Sequence, residues 1–276
     1  MHLVITGSST GIGRALAEHR LAGGDQVWGL ARSDQAELAA RYPDRFHAAR
    51  CDVARWDEVS AAAAAAAAAW PGVDALVTCA AVQGAIGPAM TLDPAGWSAT
   101  VRTDLDGTFY AIRAFHELLA RAPRRAKVVC LGGGGGTKAR ANFSAYAAAK
   151  TGVIRLVETL AEEWRGAPRD INAVAPGAVS TRMTAEVLQV GAATAGADEY
   201  QAARRLTESG GGAMAQALGL IDWLLSPASD GVTGRVLSAP WDPWPTLGRH
   251  RDELAATDVY TLRRIVPADR GRNFQS

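Results

Sequence analysis

The 276-residue chain predicts an α/β fold: a doubly wound, seven-stranded parallel sheet with helices on both faces. Three observations predict it. Short β-like apolar runs alternate with longer runs of helical period, as repeated βα units require. Several of the short runs are almost continuously apolar, the pattern of strands buried on both faces. The first run closes on a glycine-rich turn, Gly7-Ser8-Ser9-Thr10-Gly11-Ile12-Gly13, that opens directly into helical sequence.

Taken in order, strands are expected over residues 2–6, 26–30, 46–50, 74–78, 127–131, 170–174 and 235–238. Helices are expected over 12–22, 35–41, 56–70, 97–121, 145–165 and 213–225. Gly23-Gly24 stops the first helix. Residues 61–69 are nine consecutive alanines, low in complexity but strongly helix-forming. No linker divides the chain, so residues 1–276 are expected to form one domain. Its parts are a nucleotide-binding and catalytic core (1–182), a polar, glycine-rich insert on the substrate side (183–212), the last helix and strand (213–238) and a tail (239–276). Loops as long as the insert commonly serve as lids, binding loops or subunit contacts.

Composition removes several function classes. Hydrophobic residues make up 48% of the chain and the formal net charge is +1, so no global field draws in nucleic acid or an anionic membrane. No apolar run reaches the ~20 residues needed to span a bilayer. Leu3-Val4-Ile5 ends at the glycine turn without a basic lead, unlike a signal peptide. Cys51, Cys79 and Cys130 are too far apart for a metal or disulfide pattern and read as buried hydrophobes, so no metal and a cytoplasmic location are expected. Lysine occurs only at 127, 138 and 150 among 29 basic residues. In so arginine-rich a chain, a retained lysine is a candidate for chemistry that guanidinium cannot perform.

The glycine turn is the first functional signal. Strand, glycine turn and helix N-terminus together bring free backbone N–H groups close to a pyrophosphate, the geometry of a Rossmann dinucleotide site; an ordinary tight βα turn is the structural alternative. Gly7, Ser9, Gly11, Ile12 and Gly13 are the residues it would use. At the end of the second strand the chain reads Gly29-Leu30-Ala31-Arg32-Ser33. A carboxylate there would hold a ribose 2′-OH and repel a 2′-phosphate. Ala31 stands in its place and Arg32 follows, able to grip a phosphate with two N–H groups. NADP(H) is therefore the expected cofactor, with NAD(H) as the alternative.

The second signal is Tyr146-Ala147-Ala148-Ala149-Lys150. Residues i and i+4 share a helix face. A phenol with an ordinary pKa near ~10 is a poor acid–base group at neutral pH, and a neighbouring ammonium lowers that value. A plain surface pair is the structural alternative.

Together, Thr6-Gly7-x-x-x-Gly11-x-Gly13 and Tyr146-x-x-x-Lys150 resemble the short-chain dehydrogenase/reductase family, a resemblance that covers residues 1 to about 238. It implies hydride transfer with Tyr146 as acid/base, and Lys150 assisting it while binding the nicotinamide ribose. It also implies nucleotide contacts from Asp52, Val53 and Ala80, and from Pro176, Gly177, Val179 and Thr181 in the turn after the sixth strand. Family members often pair through helices such as 97–121 and 145–165, so a homodimer or homotetramer is expected. The chain departs from the family pattern at three places. Gly133 stands where the substrate-orienting serine belongs, Asp104 where an asparagine belongs, and Cys79-Ala80-Ala81 where Asn-Ala-Gly is common. Thr137, Ser144 or a hydroxyl of the substrate is a candidate replacement donor for the serine, with a local structural contact as the alternative for Ser144, and Asp104 is a candidate anchor beside Lys150.

The leading expectation is an NADP(H)-dependent oxidoreductase interconverting a ketone and a secondary alcohol, the small-molecule substrate being a sugar, cyclitol or other secondary metabolite. Trp241 and Trp244 could stack on a sugar face, or pack in the core or a dimer contact. Two other classes stand beside it: a non-redox epimerase or dehydratase that retains its nicotinamide cofactor, and a nucleotide sensor without turnover.

Overall fold

The computed structural model describes residues 1–208 and 213–274. Seven strands, β1 (His2–Thr6), β2 (Gln26–Ala31), β3 (Phe46–Arg50), β4 (Ala75–Thr78), β5 (Ala126–Leu131), β6 (Arg169–Ala175) and β7 (Val236–Ser238), form one parallel sheet in the order β3-β2-β1-β4-β5-β6-β7. Each expected strand is present within a residue or so of its expected ends. The alternation of side chains along these strands builds two cores. Val4, Leu76, Val128 and Cys130 face one side; Leu3, Ile5, Val77 and Val129 face the other.

Three helices cover the first face: α3 (Trp56–Ala69), α5 (Gly107–Ala120) and α6 (Ser144–Glu163). Only Val59, Ala62, Ala63 and Ala66 of α3 are buried, so the alanine run is a helix with one core-facing side. The second face carries α1 (Gly11–Ala22) and α9 (Ala213–Leu225), with Leu38 of the short α2 (Ala36–Arg41).

Two expectations need correction. The helix expected over 97–121 is three pieces: α4 (Pro94–Val101), a π-helical segment (Arg102–Asp106) and α5. The apolar period of the sequence does not register one widened turn. The insert expected as a loop forms α7 (Arg182–Ala195), kinked at Gly191 where φ is 77°, and α8 (Ala197–Glu208). Its glycines and polar residues hide a short apolar side, Val187, Leu188 and Ala203, that packs on Phe143 and Tyr146. Residues 209–212 of the insert and 275–276 of the tail lie outside the described residues.

The tail is fastened to the last strand. The N–H of Val236 donates to the Tyr260 carbonyl at 2.9 Å, the Arg235 guanidinium donates to the carbonyls of Thr257 and Val259 at 3.0 Å each, and the Leu262 N–H donates to Glu158 at 2.6 Å. A short helix, α10 (Arg251–Ala256), immediately precedes these attachments. No helix among the described residues is long and apolar enough to cross a membrane.

One of the three lysines is explained here. Lys127, nearly fully buried, donates to Asp170 at 2.8 Å and to Ser229 at 3.1 Å, and pairs with Asp230 at 2.7 Å. Removing one partner of a buried pair leaves the other charge uncompensated. Arg125 also pairs with Asp170, at 3.0 Å, which places the loss at the lower end of the usual range. Lys127→Met is expected to reduce unfolding free energy by about 3 kcal/mol, read as a lower urea midpoint at unchanged slope; an unchanged midpoint would show the network to be dispensable.

Candidate active site

In open α/β sheets the ligand crevice lies beyond the carboxyl ends of the strands, where the strand order reverses. Here the reversal is between β1 and β4, and a cavity of about 650 Å³ opens there. Gly7, Ser9, Gly11, Ile12, Gly13, Arg32, Asp52, Val53, Ala80, Tyr146, Lys150, Pro176, Gly177, Val179 and Thr181 all line it. Asp104 and Thr137 do not.

One end of the cavity is the glycine turn. A Cβ at Gly13 would lie 2.4 Å from the Gly7 carbonyl oxygen, so α1 packs directly on the turn that precedes it. The turn is held from behind by Ser8, whose buried hydroxyl donates to Gln35 at 2.6 Å. Thr10 at the N-cap of α1 makes no side-chain cap, and the first turn carries no acidic residue. Its free N–H groups and the positive end of the helix dipole therefore face the cavity uncompensated, which suits a phosphate. The cradle fits a dinucleotide pyrophosphate. At the end of β2, Ala31 is buried and Arg32 is more than half exposed, 3.9 Å from the Asp52 carboxylate. No acid occupies the 2′ position.

The other end is built by α6 and the loop after β5. Lys150 is buried, and its ammonium donates to the Leu131 carbonyl at 2.9 Å. It lies 3.5 Å from Asp104 Oδ2 and 5.8 Å from the centre of the Tyr146 ring. Asp104 sits inside the π-helical segment, fully buried, and accepts the Val82 N–H at 2.9 Å. Burial pushes its carboxyl above the ordinary carboxylate range, against the opposing pull of Lys150 and of the Val82 N–H. The three thiols are inert in comparison. Burial raises Cys51 and Cys79 to about 12 and Cys130 to about 11, so none is a thiolate nucleophile at neutral pH.

Position 133 explains its own residue. Gly133 has φ +68° and ψ 159°, a conformation that L side chains rarely adopt, and a Cβ there would lie 2.7 Å from the Tyr146 hydroxyl. Thr137, the candidate donor in place of a serine at 133, is not among the residues that line the cavity. It is exposed, and its hydroxyl donates back to Gly134 at 3.2 Å within the same turn. Ser144 accepts the Trp97 indole N–H at 3.1 Å, a local structural contact. Nor do the tail tryptophans reach the site. Trp244 packs on Trp223, with ring centres 6.2 Å apart, and Trp241 is 85% exposed.

The insert expected on the substrate side forms the cavity's roof, but the ion pair that holds it was not among the expected site residues. Arg140 makes a two-pronged ion pair with Glu199 of α8, at 2.9 and 2.8 Å, while its guanidinium stacks 3.7 Å above Phe143. Both charged residues line the cavity, together with Gln83, Lys138, Met183 and Val187. Lys138, one of only three lysines, carried a compositional signal; the others had none.

Comparison with known proteins agrees with this geometry. A family profile described as "short chain dehydrogenase" matches residues 1–190. Galactitol 2-dehydrogenase (L-tagatose-forming) of Cereibacter sphaeroides is 36% identical over 65% of this chain and 72% of its own length. D-threitol dehydrogenase of Mycolicibacterium smegmatis is 33% identical over 65% of this chain and 70% of its own. Among solved structures, levodione reductase superposes with a TM-score of 0.75 at 24% identity, covering 93% of this chain and 98% of that one.

Two outcomes follow from the site. Gly133→Ser is expected to lower kcat/KM at least about tenfold, because the phenol of Tyr146 must move to admit a Cβ; a gain in activity would refute this. Asp104 gives a pH signature. An acid whose folded pKa is raised is most favourable to stability below its unfolded value of 3.8, and that contribution is lost as pH rises through the folded pKa. Asp104→Asn is therefore expected to raise Tm at pH 8, with the gain fading as the pH falls toward 4. A Tm difference independent of pH would show that the charge is not responsible.

Proposed function

The chain belongs to the short-chain dehydrogenase family and is an oxidoreductase, and from that membership we propose that it interconverts a secondary alcohol and a ketone on a polar, sugar-like or cyclic small molecule, using NADP(H). The relatives named for galactitol and D-threitol support the substrate class. Oxidoreductases of this family use NAD(P)(H), and the choice of NADP(H) rests on Ala31 and Arg32.

The observation that carries the mechanism is the convergence of the glycine turn, Tyr146 and Lys150 on one cavity. The bound nicotinamide supplies the hydride acceptor or donor. Gly7, Ser9, Gly11, Ile12 and Gly13 would hold the pyrophosphate through backbone N–H groups. Arg32 would meet the 2′-phosphate, and Asp52, Val53 and Ala80 the adenine side. Pro176, Gly177, Val179 and Thr181 would close over the nicotinamide end. Lys150, fixed by Leu131 and Asp104, would bind the adjacent ribose. In reduction the Tyr146 O–H gives its proton to the carbonyl oxygen; in oxidation the Tyr146 phenolate oxygen receives the alcohol proton. Asp104 acts through Lys150, and Thr137 has no part. Substrate would enter between the Gly133–Gly135 loop and the α7–α8 roof. A homodimer or homotetramer pairing through α4, α5 and α6 belongs to this reading, and Phe109 of α5 is 43% exposed.

The test is direct. The unaltered enzyme should bind NADPH more tightly than NADH, and Ala31→Asp should reverse that order. Tyr146→Phe should cut turnover about a hundredfold or more while leaving nucleotide affinity nearly unchanged. Retention of most activity by Tyr146→Phe would overturn the assignment of the acid/base.

A further inference from the structure

Two cations lie close to the Tyr146 ring, at nearly the same distance. The Lys150 ammonium is 5.8 Å from the ring centre and the Arg140 guanidinium carbon 5.7 Å from it. Both side chains line the cavity. They differ in how their charge is answered. Lys150 is held inside the protein by the Leu131 carbonyl and Asp104. Arg140 is matched by a carboxylate brought from the roof, Glu199 of α8, through hydrogen bonds of 2.9 and 2.8 Å.

The rest of the surroundings leaves this pair as the adjustable charge. Gly133 and Gly135, against the edge of the ring, have no side chains, and Ile86, Val187 and Leu188 in its cluster are apolar. Lys138 and Asp198 line the cavity but are exposed, where solvent screens them. Arg182 pairs with Glu186 at 3.2 Å. Nor does the ion pair alone seat the roof. Val187, Leu188 and Ala203 pack with Phe143 and Tyr146, and the Asn142 amide donates to the Ala195 carbonyl at 3.4 Å.

Resting on the function proposed above, we infer that Arg140 and Glu199 act on the reaction through Tyr146, as a matched charge pair that sets how readily its phenol ionises. A cation within about 6 Å steadies a phenolate, and an anion beside that cation takes most of the effect back. Removing the guanidinium or the carboxylate breaks the same ion pair, yet the two losses push the phenol in opposite directions. A contact that only held the roof would give both losses the same sign.

The test follows Tyr146 itself, through the near-ultraviolet tyrosinate band titrated with pH in the presence of NADP⁺. Each protein is measured against the same protein carrying Tyr146→Phe, over the range in which its far-ultraviolet circular dichroism is constant. Glu199→Gln is expected to lower the Tyr146 midpoint and Arg140→Met to raise it, each by about half a pH unit or more. Arg140→Gln is the second variant should methionine disturb folding. Arg140→Lys should stay near the unaltered protein, and Arg140→Met combined with Glu199→Gln should fall between the two single variants. Shifts of the same sign, no shift in either, an Arg140→Lys midpoint that follows Arg140→Met, or a Glu199→Gln protein that unfolds before Tyr146 ionises would each overturn the inference. The same proteins are assayed for NADP⁺-dependent oxidation of galactitol and cyclohexanol. Opposite shifts without oxidation of either alcohol would uphold this inference and count against the proposed reaction. Oxidation with unmoved midpoints would do the reverse.

Discussion

The ammonium of Lys150 is the point on which four pieces of the chain converge. It sits at the buried end of α6, reaches the carbonyl that ends β5, and lies beside a carboxylate from the π-helical segment, which in turn holds the loop after β4 through the Val82 N–H. A buried cation is tolerated only where its desolvation is answered by nearby oxygens. That requirement fixes the relative positions of α6, the strand behind it and the loop after β4. The cavity keeps its shape because these pieces cannot move independently without stranding a charge.

The π-helical segment belongs to the same constraint. A widened turn at Arg102–Asp106 interrupts an otherwise continuous helix and sets Asp104 inward, with its backbone carbonyl taken by the Thr108 hydroxyl at 2.8 Å. Local widening of this kind is frequent at functional sites. Here it places a carboxyl where burial disfavours its charge, leaving Lys150 near a partner that is reluctant to ionise.

The sheet and the nucleotide cradle were legible in the sequence because both are written locally. Buried parallel strands demand apolar runs, and a phosphate turn demands glycines at backbone approaches too close for a Cβ, as Gly13 shows. Tyr146 and Lys150 were legible because helix geometry converts a spacing of four into one face. The insert's place on the substrate side was legible, but its helical form was not: α7 and α8 are polar and broken by glycine, and their packing is tertiary, Val187 and Leu188 against Phe143 and Tyr146. The π turn leaves no trace in apolar periodicity. The place of Thr137 off the cavity lining was not legible, because a turn of consecutive glycines sets direction by backbone angles that sequence distance does not encode.

The attachment of the tail bears on how the protein keeps to itself. A parallel sheet ends in a strand whose outer N–H and C=O groups are templates for another chain, and β7, only three residues long, is such an edge. Tyr260 meets the N–H of Val236, and the Arg235 guanidinium ties the passing tail down through its own carbonyls. Residues 254–262 therefore act as a blunt cap on the sheet, guarding it against edge-to-edge growth into fibrils or unspecific aggregates.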